Sequence, residues 1–197
     1  MSLPTSIEAP TRADWRQWLA GNHATETSVW LKIYRKNGAT PSVTYDEAVD
    51  EALCFGWIDS SNKKGDGQYY FQFFSRRNPR SNWSRVNKDK IQRLTAAGLM
   101  TDAGQALIEV AKQTGTWNAL DEVEDGITPP DLQESFATNP VAKSYFDAFP
   151  CSVKRGILEW LLNAKTKTPV TRAKRIVEIV TLAERNERAN QYRLKSQ

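Results

Sequence analysis

Between Phe73 and Ser84 the chain reads Phe-Phe-Ser-Arg-Arg-Asn-Pro-Arg-Ser-Asn-Trp-Ser, setting Arg76, Arg77 and Arg80 among serines, asparagines and Trp83. Guanidinium forks and free backbone N–H groups at a strand-to-helix junction can converge on an oxyanion, so this loop has the composition of an anion site. The same arginines could instead tie the loop to carbonyls and carboxylates, with Trp83 as a core anchor. Just upstream, Gly56-Trp57-Ile58-Asp59-Ser60 leaves a helix and enters a strand. Asp is depleted within strands, so Asp59 either caps a turn or presents its carboxylate to a partner. Cys54 reads as a small core residue, because no neighbour would lower its pKa.

A second cluster is acidic. Asp46, Glu47, Asp50 and Glu51 fall on the face opposite the apolar stripe of their helix. Near a helix N-terminus such residues make a solvated acidic face that the dipole favours. The alternative is that basic residues dock on it. Residues 63–93 carry nine basic and two acidic groups, a balance of +7 in a chain whose net charge is +4. This basic centre points to anionic partners, external or internal. Aromatic side chains interleaved with it suit phosphate contact plus base stacking, although strands must give one face to the core. A carboxylate pair for glycosidase-like chemistry needs separations that spacing alone does not supply.

These loops need elements to hold them. Thr11 with Asp14 and Thr44 with Glu47 form capping boxes, predicting helices over Ala13 to Ala20, stopped at Gly21, and from Thr44 to near Gly56. Thr27 to Lys36 alternates Val29, Leu31 and Ile33 against Trp30, Lys32 and Tyr34, the period of a strand. Trp57 to Ser60 and Gln68 to Phe74 are β-prone runs joined by a hairpin-like Lys-Lys-Gly-Asp-Gly. Helices follow from Trp83 to Ala97, closed by Gly98, and from Thr101 to Gly115. Three more open at Asn139-Pro140, Ser152 and Thr168-Pro169, the last directing Ala173, Ile176, Val177, Val180 and Ala183 inward and ending in a polar tail from Glu184. The expected fold class is α+β: a small antiparallel sheet packed with helices in the N-terminal part, and a helical C-terminal part. The expected organisation is a lobe over 1–120, an acidic linker over 121–130 and a helical lobe over 131–197, packed together as one compact unit.

Composition excludes several classes. No stretch approaches the roughly 18 apolar residues of a membrane span, and the N-terminal run has neither a basic start nor an apolar segment, so a cytoplasmic protein without membrane contact is expected. Cys54 and Cys151 have no metal-ligand spacing, and His23 is the single histidine. No metal, cofactor or histidine-based triad is therefore predicted.

Tyr45-Asp46-Glu47-Ala48, the run Ala52-Leu53-Cys54-Phe55-Gly56-Trp57-Ile58-Asp59-Ser60, then Arg76, Ser81, Trp83-Ser84 and Asn87, resemble the YdeI/OmpD-associated family, also called bacteriocin-protection proteins. Gly98-Leu99-Met100-Thr101 with Ala103-Gly104 continues the likeness. Ala164-Lys165, Thr171-Arg172 and Arg175-Ile176 resemble that family's closing helical motif, so the likeness runs from about Trp18 to Leu182. It departs at Ser75 to Arg80, which differs from the family's Thr-Pro-Arg-type run and leaves open which arginine is equivalent. The resemblance implies a bacterial stress or antimicrobial-peptide tolerance factor, which names a phenotype and no reaction. The leading expectation is a small anionic or polar ligand held by Trp57, Asp59, Arg76, Arg80, Trp83 and Asn87, with no catalytic residue assigned. Two alternatives stand beside it: a nucleic-acid-binding or protein-interaction module using residues 63–93, and an enzyme with Asp59 as general base and Arg76 as oxyanion stabiliser. Oligomeric state is not encoded in any of these features.

Overall fold

The computed structural model describes residues 6–35, 40–164 and 169–190. Two compact units divide at Asn118 and Ala119. Elements of the first are β1 (Ile7–Glu8), α1 (Arg12–Asn22), β2 (Ser28–Tyr34), α2 (Tyr45–Cys54), β3 (Trp57–Lys64), β4 (Tyr69–Arg76), α3 (Arg85–Ala96) and α4 (Asp102–Thr114). The second holds α5 (Asp121–Glu124), α6 (Pro130–Ala137), α7 (Pro140–Ala148), α8 (Cys151–Leu162) and α9 (Pro169–Glu184). The fold class is α+β, as expected.

Local signals account for the helix starts. Both capping boxes form, with the Thr11 and Thr44 hydroxyls accepting from the backbones of Asp14 and Glu47 and those carboxylates reaching back. Ser84 caps α3, and Thr101 caps α4, which closes on Gly115 at φ 77°. Gly21 does not stop α1, which continues to Asn22.

The strands stand in the order β1-β2-β4-β3, with β1 parallel to β2 and the others antiparallel. The sheet is therefore mixed rather than purely antiparallel. Period-two alternation sends Leu31, Ile33 and Phe74 into a core shared with Trp15 and Leu19 of α1, Ala48, Val49, Ala52 and Leu53 of α2, and Trp57. β3 and β4 each extend to eight residues, beyond the β-prone runs that announced them.

The solvated acidic face expected on α2 is corrected. Asp50 and Glu51 are only 4% and 2% exposed. Because α2 packs against α1, α3 and α4 as well as β3, the later part of its polar side meets helices rather than water, while Asp46 stays exposed. Glu51 receives Arg12 at 2.5 Å and Arg16 at 2.6 Å, while Asp50 receives Lys90 at 2.9 Å and Arg93 at 2.7 Å. Internal docking of basic residues is the reading that holds, but the cations come from α1 and α3 rather than from the arginine loop.

In the second unit the acidic segment 121–124 forms α5, whose Val123 joins a core with Leu132, Phe136, Phe146, Ile157 and Leu161. On α9 the inward residues are Ile176, Ile179 and Ala183, with Val180 packed half-buried against the same core, whereas Val177 is 65% exposed and Ala173 also faces out. A 3.6-residue period admits 176, 179 and 183 on one stripe and rotates 173 and 177 off it. Thr168, Lys165 and the tail beyond Asn190 lie outside the described residues. Helix α8 starts at Cys151 behind Pro150, not at a Ser152 cap. The Arg172 and Arg175 of the closing motif act as ties: Arg172 grips Asp131 with Nε at 2.5 Å and Nη2 at 2.7 Å, and Arg175 lies 4.5 Å over the Trp160 ring.

Candidate functional site

The strand-to-helix loop after β4 is built around Arg77, not around its neighbours. Arg77 is 6% exposed, and its backbone N–H donates to the Gly56 carbonyl at 2.9 Å, joining the two loop junctions. Its guanidinium stacks 3.7 Å over the Trp83 ring and donates from Nη2 to the Asn82 carbonyl at 2.5 Å. Among the described residues its buried Nε finds no acceptor. Burial pushes the Arg77 guanidinium down to about 10, against the opposing pull of the Asp59 charge. A cation so placed is held by one ring, one carbonyl and a carboxylate's field.

The residues expected to line a cleft occupy different surroundings. Trp57 is a core residue, 1% exposed, edge-on to Trp18 at 5.9 Å. Asp59 accepts a 2.7 Å hydrogen bond from the Tyr45 hydroxyl; burial and then this bond raise Tyr45 above the usual phenol range. Arg76 donates from Nε to the Glu26 carbonyl at 2.7 Å. Arg80 is exposed on a turn where its N–H donates to Asn78 Oδ1 at 2.9 Å. Asn87 sits in the first turn of α3, its N–H donating to the Ser84 cap at 3.4 Å. Of these six, Trp83 touches Arg77 and Asp59 acts on it through its charge.

Trp83 leads onward to a cleft. Its backbone N–H donates to the Thr116 carbonyl at 3.2 Å, and its ring lies 5.1 Å from Trp117. Trp117, half-buried, walls a cleft of about 410 Å³ between α3 and α4, with Lys88, Asp89, Gln92 and Thr95 from α3 and Gln105, Ile108 and Lys112 from α4. Lys88 Nζ stands 6.0 Å from the Trp117 ring centre. Lys112 reaches Glu109 at 3.1 Å, a half-exposed pair that a ligand anion could displace. A flat aromatic wall, two ammonium groups and two amide side chains can orient a small polar or anionic molecule. The sequence signal for it was the polar spacing of Lys88, Gln92 and Thr95 at i, i+4 and i+7, facing Gln105 and Lys112 at i and i+7. Trp117 itself follows a capping glycine and carries no periodic signature.

Residues 7–107 match the family model of a domain of unknown function, DUF8412, which spans just over half of the chain. The chain belongs to this family. Residues 126–186 match the family described as Bacteriocin-protection, YdeI or OmpD-Associated. The YdeI/OmpD-associated resemblance is thus supported in the second unit, while the motifs around Trp57 and Trp83 lie within the DUF8412 segment. No curated protein and no solved structure matches the chain. In the DUF8412 segment the described residues include no helix long and apolar enough to cross a membrane, and the same holds for the rest of the described chain.

Proposed function

We propose that this protein is a bacterial stress or antimicrobial-peptide tolerance factor, acting in the cytoplasm by binding a small anionic ligand in the α3–α4 cleft. The match of residues 126–186 to bacteriocin-protection proteins supports the phenotype. The observation that carries the binding is Trp117, whose ring forms one wall of the cleft while Lys88 and Lys112 bring positive charge beside it. Asp89 on the same rim disfavours a highly charged ligand, so a planar group bearing one phosphate or carboxylate is the best fit. Trp83 and Arg77 act from behind, holding the Trp117 ring in place.

The test is a thermal-shift and calorimetric screen of mononucleotides and aromatic carboxylates against the full chain. A ligand that raises the melting temperature, loses affinity roughly 10-fold or more in Trp117→Ala and weakens in Lys112→Gln fits the proposal. Expression of the wild type in a peptide-sensitive bacterium should raise survival, and Trp117→Ala should not. Absence of any ligand shift, or a shift untouched by both substitutions, overturns it.

A further inference from the structure

The sheet of the first unit has two apolar faces, and the core accounts for one. Opposite Leu31, Ile33 and Phe74, the register places Trp30 against Phe73 and Tyr34 against Tyr69, with Lys32 and Lys63 on either side of Phe71. Trp30 and Phe73 rings lie 4.9 Å apart, and Tyr34 and Tyr69 rings 5.5 Å. None of these five rings belongs to either hydrophobic cluster among the described residues, although Phe71 is only 3% exposed. Its ring lies 5.4 Å from that of Tyr69. Lys32 Nζ sits 4.1 Å over Tyr69 and Lys63 Nζ 4.7 Å over Trp30.

A sheet with one face on the core ordinarily alternates apolar inward with polar outward. Here the outward positions are aromatic and cationic instead. Cross-strand ring pairs alone would stabilise the sheet, but they would do so equally without ammonium groups set over them. Lysine is depleted at the centres of protein interfaces, where a buried ammonium goes unanswered. Phosphates answer it. Phe73 and Tyr69, four residues and roughly 13 Å apart along β4, offer separate stacking platforms to unpaired bases, while the lysines meet the backbone between them.

The geometry points to a single-stranded nucleic acid bound across the outer face of β2, β4 and β3, with Lys32 and Lys63 swinging off the Tyr69 and Trp30 rings onto phosphates and bases taking their place on Trp30, Phe73 and Tyr69. This site is separate from the α3–α4 cleft and does not depend on it. Of the basic segment 63–93, Lys63 lies on this face, while Lys90 and Arg93 pair with Asp50 and Arg77 is buried. Glu8 is the acidic side chain that competes, accepting from Lys32 at 2.8 Å.

Fluorescence anisotropy of labelled dT and U 15-mers with the full chain tests it. Binding should weaken with salt, and Lys63→Gln should lower the slope of log K against log salt by about 0.7, the counterion release of one contact on a single strand. Trp30→Ala should weaken binding roughly 5- to 100-fold. Glu8→Gln should tighten it, a gain that no loss of folding can mimic. A matched duplex should compete poorly, because its bases are already stacked. Three results each overturn the inference: no binding at low salt, equal competition by duplex, or affinity and salt slope unchanged in Lys63→Gln and Glu8→Gln. Concentration-dependent self-association that protects Trp30 from quenching would also overturn it, by assigning the face to a second copy of the chain.

Discussion

Glu51→Ala is expected to cost the first unit about 2 to 4 kcal/mol, the range for removing one partner of a buried ion pair, reduced because its cations are partly solvated. Glu51 is 2% exposed and bridges Arg12 and Arg16 of α1, whose side chains each keep 34% of their surface. Losing the carboxylate leaves two guanidinium groups facing each other with Arg16 still tied to the Leu99 carbonyl at 2.9 Å. Six of the seven tryptophans lie in the first unit, so denaturant unfolding followed by fluorescence reports on it. The expected result is a lower midpoint at unchanged slope. A loss below about 0.5 kcal/mol would mean that the pair behaves as a surface ion pair and that α1 is held by Trp15 and Leu19 alone.

Asp50 gives the pH dependence. Burial pulls its pKa up, but the bonds from Arg93 and Lys90 outweigh burial and leave it below the ordinary carboxylate value. A carboxyl with a lower pKa folded than unfolded contributes fully above the unfolded value of about 3.9 and loses that contribution as pH falls through the folded one. The first unit should therefore lose stability as pH falls below about 4. Asp50→Asn should be less stable near neutrality and show a shallower acid limb. Equal acid limbs in both proteins would remove Asp50 from the account.

What was legible in the sequence was local. Thr11 with Asp14 and Thr44 with Glu47 lie within one helical turn, and the capping groups meet wherever the helix forms. The ion pairs were not legible, because the partners of Asp50 and Glu51 lie 35 to 43 residues away on other helices. Carboxylates opposite an apolar stripe look solvated until a third helix is known to cover them. The same limit applied to β2: alternation announced a strand and two faces, but which face the helices would cover depended on contacts with α1 and α2. Arg77 was hidden among three arginines of one loop, and only the fold singles it out, by its burial, its stacking on Trp83 and the bond from its backbone to Gly56. Trp117 needed the fold to bring it beside Trp83.

Gly104→Ala should destabilise the first unit by about 3 kcal/mol, at the upper end of overpacking. In a solvated helix the same change would instead stabilise by up to about 1 kcal/mol. The reversal comes from position: a Cβ on Gly104 would stand 2.3 Å from the Cys54 carbonyl oxygen, 2.8 Å from its carbon and 2.9 Å from the Leu53 oxygen. These are backbone atoms and cannot swing aside. That carbonyl is also held from α4, accepting from the Thr101 hydroxyl at 2.6 Å and the Thr101 N–H at 3.2 Å. An added methyl must therefore break this seam or shift α4 as a whole. Gly21, in α1 with nothing within 4 Å of its would-be Cβ, supplies the control, and Gly21→Ala should be neutral or stabilising. If both substitutions stabilise, the close approach of α4 to the end of α2 does not exist in solution. If Gly104→Ala destabilises as expected, it should also impair the cleft, because α4 carries Gln105, Ile108 and Lys112 one to eight residues beyond the wedge. Gly104 is then the small residue that lets one helix seal the end of another.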